Sequence, residues 1–129
     1  MPEYLHRCMT VKQQIVSAAL TPRRDAVKST DYLIELVEKW AEDRHILTHS
    51  NAKAQALKLV SEVGELCDAI VKGDEAGIVD GIGDCTVVLV ILSKLCGLTL
   101  PVCLAAAHEE IKDRKGKMVS GGVFVKEQA

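Results

Sequence analysis

Four carboxylates, arranged as two helically spaced pairs on either side of a short turn, constrain this chain more than any other feature. Glu62 and Glu65 are three residues apart, and Asp80 and Asp84 are four apart. Residues at these spacings are neighbours on one helical face, and the Lys-Gly-Asp segment at 72–74 has the composition of a turn. A hairpin of two helices would bring both pairs together. Four oxygen donors that repel one another are suited to a divalent cation such as Mg²⁺ or Mn²⁺.

The residues around both pairs indicate that the acids border packed surfaces. On a helical wheel, the apolar residues of the first helix form one stripe, with Glu62 just outside its edge and Glu65 further round. The stripe consists of Ala56, Leu59, Val60, Val63, Leu66, Cys67 and Ile70. The second helix, 78–95, is apolar nearly all round, which predicts burial or an interface. Its Gly81 and Gly83 predict a close approach to the backbone. Taken singly, each acid pair is better explained by a solvated surface or by helix capping. Both pairs together, at these spacings and separated by one turn, favour the metal site.

Length and composition predict one helical domain. The 129 residues are 48% hydrophobic but only 3% aromatic, so the core must be built from Leu, Val, Ile and Ala. A net charge of -2 argues against a nucleic acid polymer as partner. The five cysteines show no C-x-x-C spacing, which favours a reducing cytoplasm over a disulfide or zinc scaffold. No continuous apolar run approaches the roughly 20 residues needed to cross a bilayer, and no signal peptide is recognisable. We therefore expect a soluble cytoplasmic protein.

Periodicity and capping residues divide the chain into an N-terminal extension, residues 1–29, and a helical domain, residues 30–129. A short helix is predicted in the extension at Val11–Leu20. The predicted helices of the domain run from Thr30 to about Arg44, from Asn51 through the first acid pair, over 78–95, and from Pro101 to about Arg114, with a loop at 45–50. Two apolar runs around a Gly-containing turn predict a small C-terminal β-hairpin. The Val/Ile-rich run 85–92 also suits a buried strand, but no second such run exists to pair with it. The predicted fold class is all-α, a bundle of four to five helices.

Two further features would suit a nucleotide ligand. Trp40 is the only tryptophan, and it predicts either a core anchor or a stacking surface for a nucleobase. Lys112, Arg114 and Lys115 lie at the end of the last predicted helix. Cations there are favoured by the helix dipole alone, and they would also suit contact with phosphate.

The ordered set of EVGEL, a turn, a second acid pair and an apolar helix resembles the MazG-type nucleotide pyrophosphohydrolases, the all-α NTP pyrophosphatases. It is most similar to the small phage and prophage-type members. The blocks Trp40–Arg44 and Glu110–Met118 resemble the same family, so the similarity covers about 31–127. The common family pattern pairs E-x-x-E with E-x-x-D. Here Gly81 stands three residues before Asp84, so Asp80 would have to supply the missing carboxylate.

The resemblance implies Mg²⁺-dependent hydrolysis of a (deoxy)nucleoside triphosphate to monophosphate and pyrophosphate, for control of nucleotide pools. It implies metal ligation by Glu62, Glu65, Asp80 and Asp84, with Glu62 or Glu65 as the catalytic base, phosphate contacts from Lys112, Arg114 and Lys115, and base contacts from Trp40. It also implies a homodimer or homotetramer. Two alternatives stay open: a phosphoribosyl-ATP or dUTP-type pyrophosphohydrolase of the same superfamily, and a catalytically reduced helical module that binds nucleotides or proteins.

Overall fold

A computed structural model of the chain describes residues 27–128 and Gln14. Apart from Gln14, the helix predicted at Val11–Leu20 lies outside the described residues. Within 27–128 the chain forms five helices followed by two strands. They are α1 (Thr30–Asp43), α2 (Ile46–His49), α3 (Ala52–Lys72), α4 (Glu75–Leu95), α5 (Leu100–Ile111), β1 (Gly116–Val119) and β2 (Val123–Lys126).

Side-chain caps begin the four longer helices. Ser29, Asn51, Asp74 and Thr99 each precede a helix, and each accepts a hydrogen bond from the backbone N–H three residues further on. Such caps satisfy donors that have no partner within the helix. The helix start predicted at Asn51 is therefore confirmed.

Two glycines end helices in the left-handed conformation. Gly73 (φ 65°) closes α3 and opens the hairpin turn, and Gly97 (φ 73°) follows α4. Only glycine adopts this backbone region without a steric cost. The turn at 72–74 and the stop at Gly97 were both predicted from the sequence.

Three predicted boundaries were wrong. Helix α4 begins at Glu75, three residues before the predicted start at 78. The segment 45–50 contains the short helix α2, which His45 introduces in a left-handed conformation (φ 59°). The last helix ends at Ile111, three residues earlier than predicted. Helix ends are the least certain feature of a sequence pattern, because the final turn has few hydrogen bonds to hold it.

The long apolar helix α4 lies at the centre of the bundle. It packs mainly against α3, with which it forms an antiparallel hairpin, and it also contacts α1, α2 and α5. Val88, Val90 and Ile91 of α4 are buried. The burial predicted for this helix is confirmed for part of its surface, while Ile82 and Leu89 are exposed. The strand alternative is excluded. Among the described helices, α4 alone is long and apolar enough to span a bilayer, a property that core helices of soluble proteins share.

The C-terminal strands form an antiparallel hairpin that is largely exposed. Gly116 is opposite Lys126, and Val119 is opposite Val123. Gly121 and Gly122 make the turn, both with positive φ. The predicted fold, an all-α bundle with a small C-terminal β-hairpin, is confirmed.

Candidate active site in the helical hairpin

The two acid-bearing helices cross closely at glycines of α4. A Cβ built on Gly81 would lie 2.9 Å from the Cβ and 3.0 Å from the Cα of Leu66 on α3. One turn earlier, a Cβ on Gly77 would lie 3.0 Å from the Cβ of Ala69. The close approach predicted at Gly81 is thus confirmed, and its partner is the backbone of α3. The approach predicted at Gly83 was wrong, because a Cβ there would meet nothing within 4 Å.

Glu62 lies inside this crossing. It is only 5% exposed, and within α3 only Glu62 and Ala69 are buried. Its Oε1 accepts a hydrogen bond from the Lys58 ammonium, whereas the buried Oε2 has no hydrogen-bond partner. A buried carboxylate oxygen in this state is costly, on the order of 1–3 kcal/mol or more. It is therefore the polar atom of the hairpin most in need of a ligand.

The sequence placed Glu62 wrongly, just outside the packed stripe of α3. In the structure the packed face contains Glu62, Leu66 and Ala69, while Val60 of the predicted stripe is 70% exposed. The reason is that the glycines of α4 set where the helices touch. The face of α3 that packs is therefore the one opposite Gly77 and Gly81 of α4, and not the one with the most apolar side chains.

Three of the four predicted metal ligands raise the pKa of one lysine, Lys58. The hydrogen bond from Lys58 to Glu62 and the charge of that carboxylate raise the pKa of the ammonium, and the charges of Glu65 and Asp84 raise it further. The charges of acids on both α3 and α4 therefore act on the Lys58 ammonium, which Glu62 binds directly. Lys58 was not singled out from the sequence, although its position four residues before Glu62 is the spacing of a helical ion pair.

Cys85 lies on the same part of α4. Burial raises the pKa of its thiol, and the nearby charges of Glu62 and Asp84 raise it further. The charges of Glu62 on α3 and Asp84 on α4 therefore both act on the Cys85 thiol, as they do on Lys58. No part in the acidic site was predicted for Cys85.

The carboxylates do not form a closed ligand set. Asp80 and Asp84 are half-buried on α4, and Glu65 is exposed on α3. Nowhere in the described residues are three His, Cys, Asp or Glu side chains grouped so that they could hold a metal ion. Any cation at this crossing would require these side chains to change rotamer.

The three residues predicted to contact phosphate already form ion pairs or hydrogen bonds within the protein. Lys112 Nζ lies 2.7 Å from Glu109 Oε2, and Arg114 donates to Glu110 Oε1 at 2.9 Å. The backbone carbonyl of Lys115 accepts a hydrogen bond from Glu127 of the C-terminal hairpin. These ion pairs are exposed and hence weak, so an incoming phosphate could replace the carboxylates.

Trp40 is not a core anchor in this chain. It is 42% exposed, and the Arg44 guanidinium lies 4.8 Å from the centroid of its ring. One face of the indole is thus covered by a cation. Its use as a stacking surface for a base stays a prediction.

An apolar cavity between α1 and α4 was not foreseen. Its volume is about 290 Å³, and its main lining residues are Leu33, Ile34, Val37, Gly83, Val87 and Val90. Gly83 directly precedes Asp84 along α4, but none of the predicted metal ligands lines the cavity. The sequence signal was the glycine itself, which leaves space in the wall of a helix where any other residue would fill it.

Comparison with known proteins places these features in a family. The model of the MazG nucleotide pyrophosphohydrolase domain matches residues 50–118, more than half of the chain, and this range includes both acid pairs. The chain is also 48% identical over 62 residues to an uncharacterized 18.2 kDa protein from the rep-hol intergenic region of Haemophilus phage HP1 (strain HP1c1). That alignment covers 48% of this chain and 38% of the phage protein. No solved structure gives a significant match. The chain therefore belongs to the MazG nucleotide pyrophosphohydrolase family.

Proposed function

We propose that this protein hydrolyses a (deoxy)nucleoside triphosphate between its α and β phosphates, releasing monophosphate and pyrophosphate, and so controls nucleotide pools in the cytoplasm. The observation that carries the proposal is the buried Glu62, whose Oε2 lacks a hydrogen-bond partner at a crossing with acids on both helices. A buried acid with no structural partner is expected where a ligand completes the site.

The metal ligands that we propose are Glu62, Glu65, Asp80 and Asp84. The donor set fits Mg²⁺ or Mn²⁺, since these ions prefer carboxylate oxygen, and the orphaned Oε2 of Glu62 offers an oxygen that the fold itself leaves unused. When bound, such an ion supplies charge neutralisation for the triphosphate and a bound water of lowered pKa. Because Gly81 carries no side chain, Asp80 takes the role of the acid that the family pattern has at that position.

The remaining roles belong to side chains of the chain itself. Glu65 is the better candidate for the general base, because its exposed carboxylate can reach a water while Glu62 is enclosed. Lys112 and Arg114 would exchange their acidic partners for phosphate oxygens, and together with Lys115 they would stabilise the charge that develops there. The base would contact Trp40.

A second candidate function is a nucleotide-binding or protein-binding module with reduced catalysis. The observation in its favour is Gly81, which is committed to packing on Leu66 and leaves the site one carboxylate short of the family pattern. The two functions differ in turnover and not in fold.

We further propose a homodimer or homotetramer built from the helical domain, residues 30–129, with residues 1–29 as a separate extension. The support is a second apolar face on α3. Val60 is 70% exposed and Val71 is 86% exposed, and Leu57 is exposed beside them. Exposed apolar side chains that share one helical face favour an interaction site. Light scattering should give a dimer or tetramer that Val60→Glu shifts towards monomer and that Lys39→Glu, an exposed change on α1, leaves intact. A monomeric wild type would refute the assembly.

The test of the activity is pyrophosphate release from a panel of ribo- and deoxyribonucleoside triphosphates, including dUTP, together with phosphoribosyl-ATP, in the presence of Mg²⁺. Glu62→Gln and Asp84→Asn should lower turnover by about two orders of magnitude or more. Asp68→Asn is the matched control, since Asp68 is an exposed acid of α3 that pairs with Lys72. Nucleotide binding by the wild type without turnover of any substrate would favour the module.

A further inference from the structure

Lys58 reaches into the acidic crossing from the solvent side. Its side chain is 56% exposed, whereas the side chain of its partner Glu62 is only 7% exposed. The ammonium therefore meets the carboxylate at the mouth of the crossing. The lysine stem remains in water, so the head group can leave without disturbing the core.

The Lys58 ammonium lies where several acidic charges act on it. Glu62 binds it directly through Oε1, and the charges of Glu65 and Asp84 act on the same nitrogen. Two of these acids come from α3 and one from α4. A cation here relieves the mutual repulsion of the acids and the burial cost of Glu62, which a divalent cation would also do.

The second ion pair of α3 shows that this placement is specific to Lys58. Lys72 pairs with Asp68 at 2.6 Å, also four residues apart. Both partners of that pair are more than 60% exposed, and Lys72 lies in the last turn of the helix. Helix α3 thus contains two lysine–acid pairs of the same spacing, one at the crossing and one away from it.

We propose that Lys58 is a resident counterion of the acidic crossing, whose ammonium neutralises Glu62 in the metal-free protein and competes with the divalent cation for that carboxylate. This inference rests on the metal site of the proposed function. It makes Lys58 a positioning residue that lowers the metal affinity: its ammonium holds Glu62 Oε1, while the cation would approach through Oε2, which has no hydrogen-bond partner.

The experiment compares wild type, Lys58→Gln, Lys58→Arg and Lys72→Gln. The first readout is Mn²⁺ binding to the full chain without nucleotide, measured from the electron paramagnetic resonance signal of free Mn²⁺. Lys58→Gln should bind Mn²⁺ about 3- to 10-fold more tightly. This range corresponds to the interaction energy of an ion pair with one exposed and one buried partner. Lys58→Arg, which keeps the charge, and Lys72→Gln should stay within about twofold of wild type.

The second readout is the melting temperature with and without Mn²⁺. Without metal, Lys58→Gln should melt below wild type, because the buried Glu62 has lost its partner. At saturating Mn²⁺ the difference should shrink, because the metal stabilises the variant more. A lysine with a merely structural role would lower the melting temperature equally under both conditions.

Two negative results are distinguishable. Unchanged or weaker Mn²⁺ binding by Lys58→Gln, with wild-type binding abolished by Glu62→Gln, would overturn the role of Lys58 and leave the metal site standing. No Mn²⁺ binding by either wild type or Lys58→Gln at millimolar concentration would overturn both.

Discussion

Replacing Gly81 by alanine tests the packing on which the site depends. In a helix, glycine to alanine normally stabilises by about 1 kcal/mol. At Gly81 the new Cβ would lie 2.9 Å from the Cβ and 3.0 Å from the Cα of Leu66. Because one of these atoms is backbone, the helices themselves must move, and overpacking of this kind costs about 1–3 kcal/mol. The net expectation is a loss of up to about 2 kcal/mol.

Gly83→Ala is the matched control two residues away on the same helix. A Cβ there would meet nothing within 4 Å, so only the helix-propensity gain of up to about 1 kcal/mol applies. The two variants should therefore differ by about 2 kcal/mol, measured as the free energy of unfolding in urea. At roughly 4 °C per kcal/mol for a chain of this length, the melting temperatures should differ by about 8 °C.

The reasoning would be refuted if Gly81→Ala were as stable as Gly83→Ala. Equal gains at both positions would mean that α3 and α4 do not touch at Leu66. The same logic applies to Gly81→Glu, which restores the family's E-x-x-D pattern. Gly81→Glu should lower the free energy of unfolding at least as much as Gly81→Ala, and it should not raise the pyrophosphohydrolase activity.

Three further results are expected. Asn51→Ala should cost about 1 kcal/mol of unfolding free energy in a urea titration, because it removes the cap of α3, and Asn51→Asp should not. Iodoacetamide should label Cys85 more slowly than the exposed Cys96 at pH 8, followed by mass spectrometry, because the raised pKa of Cys85 lowers its thiolate fraction; equal rates would contradict its placement at the crossing. Nucleotide with Mg²⁺ should quench the fluorescence of Trp40, and unchanged emission at saturation would exclude it from the base site.

The elements of the fold were predictable because local signals agree with one another. Asn51, Gly73 and Gly97 each act within a few residues, as a cap or a left-handed stop, so their roles can be recognised without knowing what lies opposite. The acid spacings likewise depend only on the period of a helix. Local features of this kind were enough to predict a hairpin with acids on both helices.

The face of α3 that is covered could not be predicted in the same way. This helix has two apolar faces, and hydrophobic periodicity favoured the one that contains Val60, which is exposed in the single chain. The face that packs is chosen by residues on another helix, namely the glycines of α4. For the same reason the sequence missed the ion pair at Lys58, because its importance depends on Glu62 being buried.

The glycine at 81 and the burial of Glu62 are best understood as one feature. Residue 81 crosses α3 at Leu66, one helical turn from Glu62, so close contact at the glycine draws α4 over the neighbouring carboxylate. A glutamate at 81 would supply a fourth acid in the family position, but its side chain would hold the helices apart and open the crossing to water. In this chain the close contact at Gly81 occurs together with the buried acid Glu62. The energetic cost of that acid explains why a lysine pairs with it.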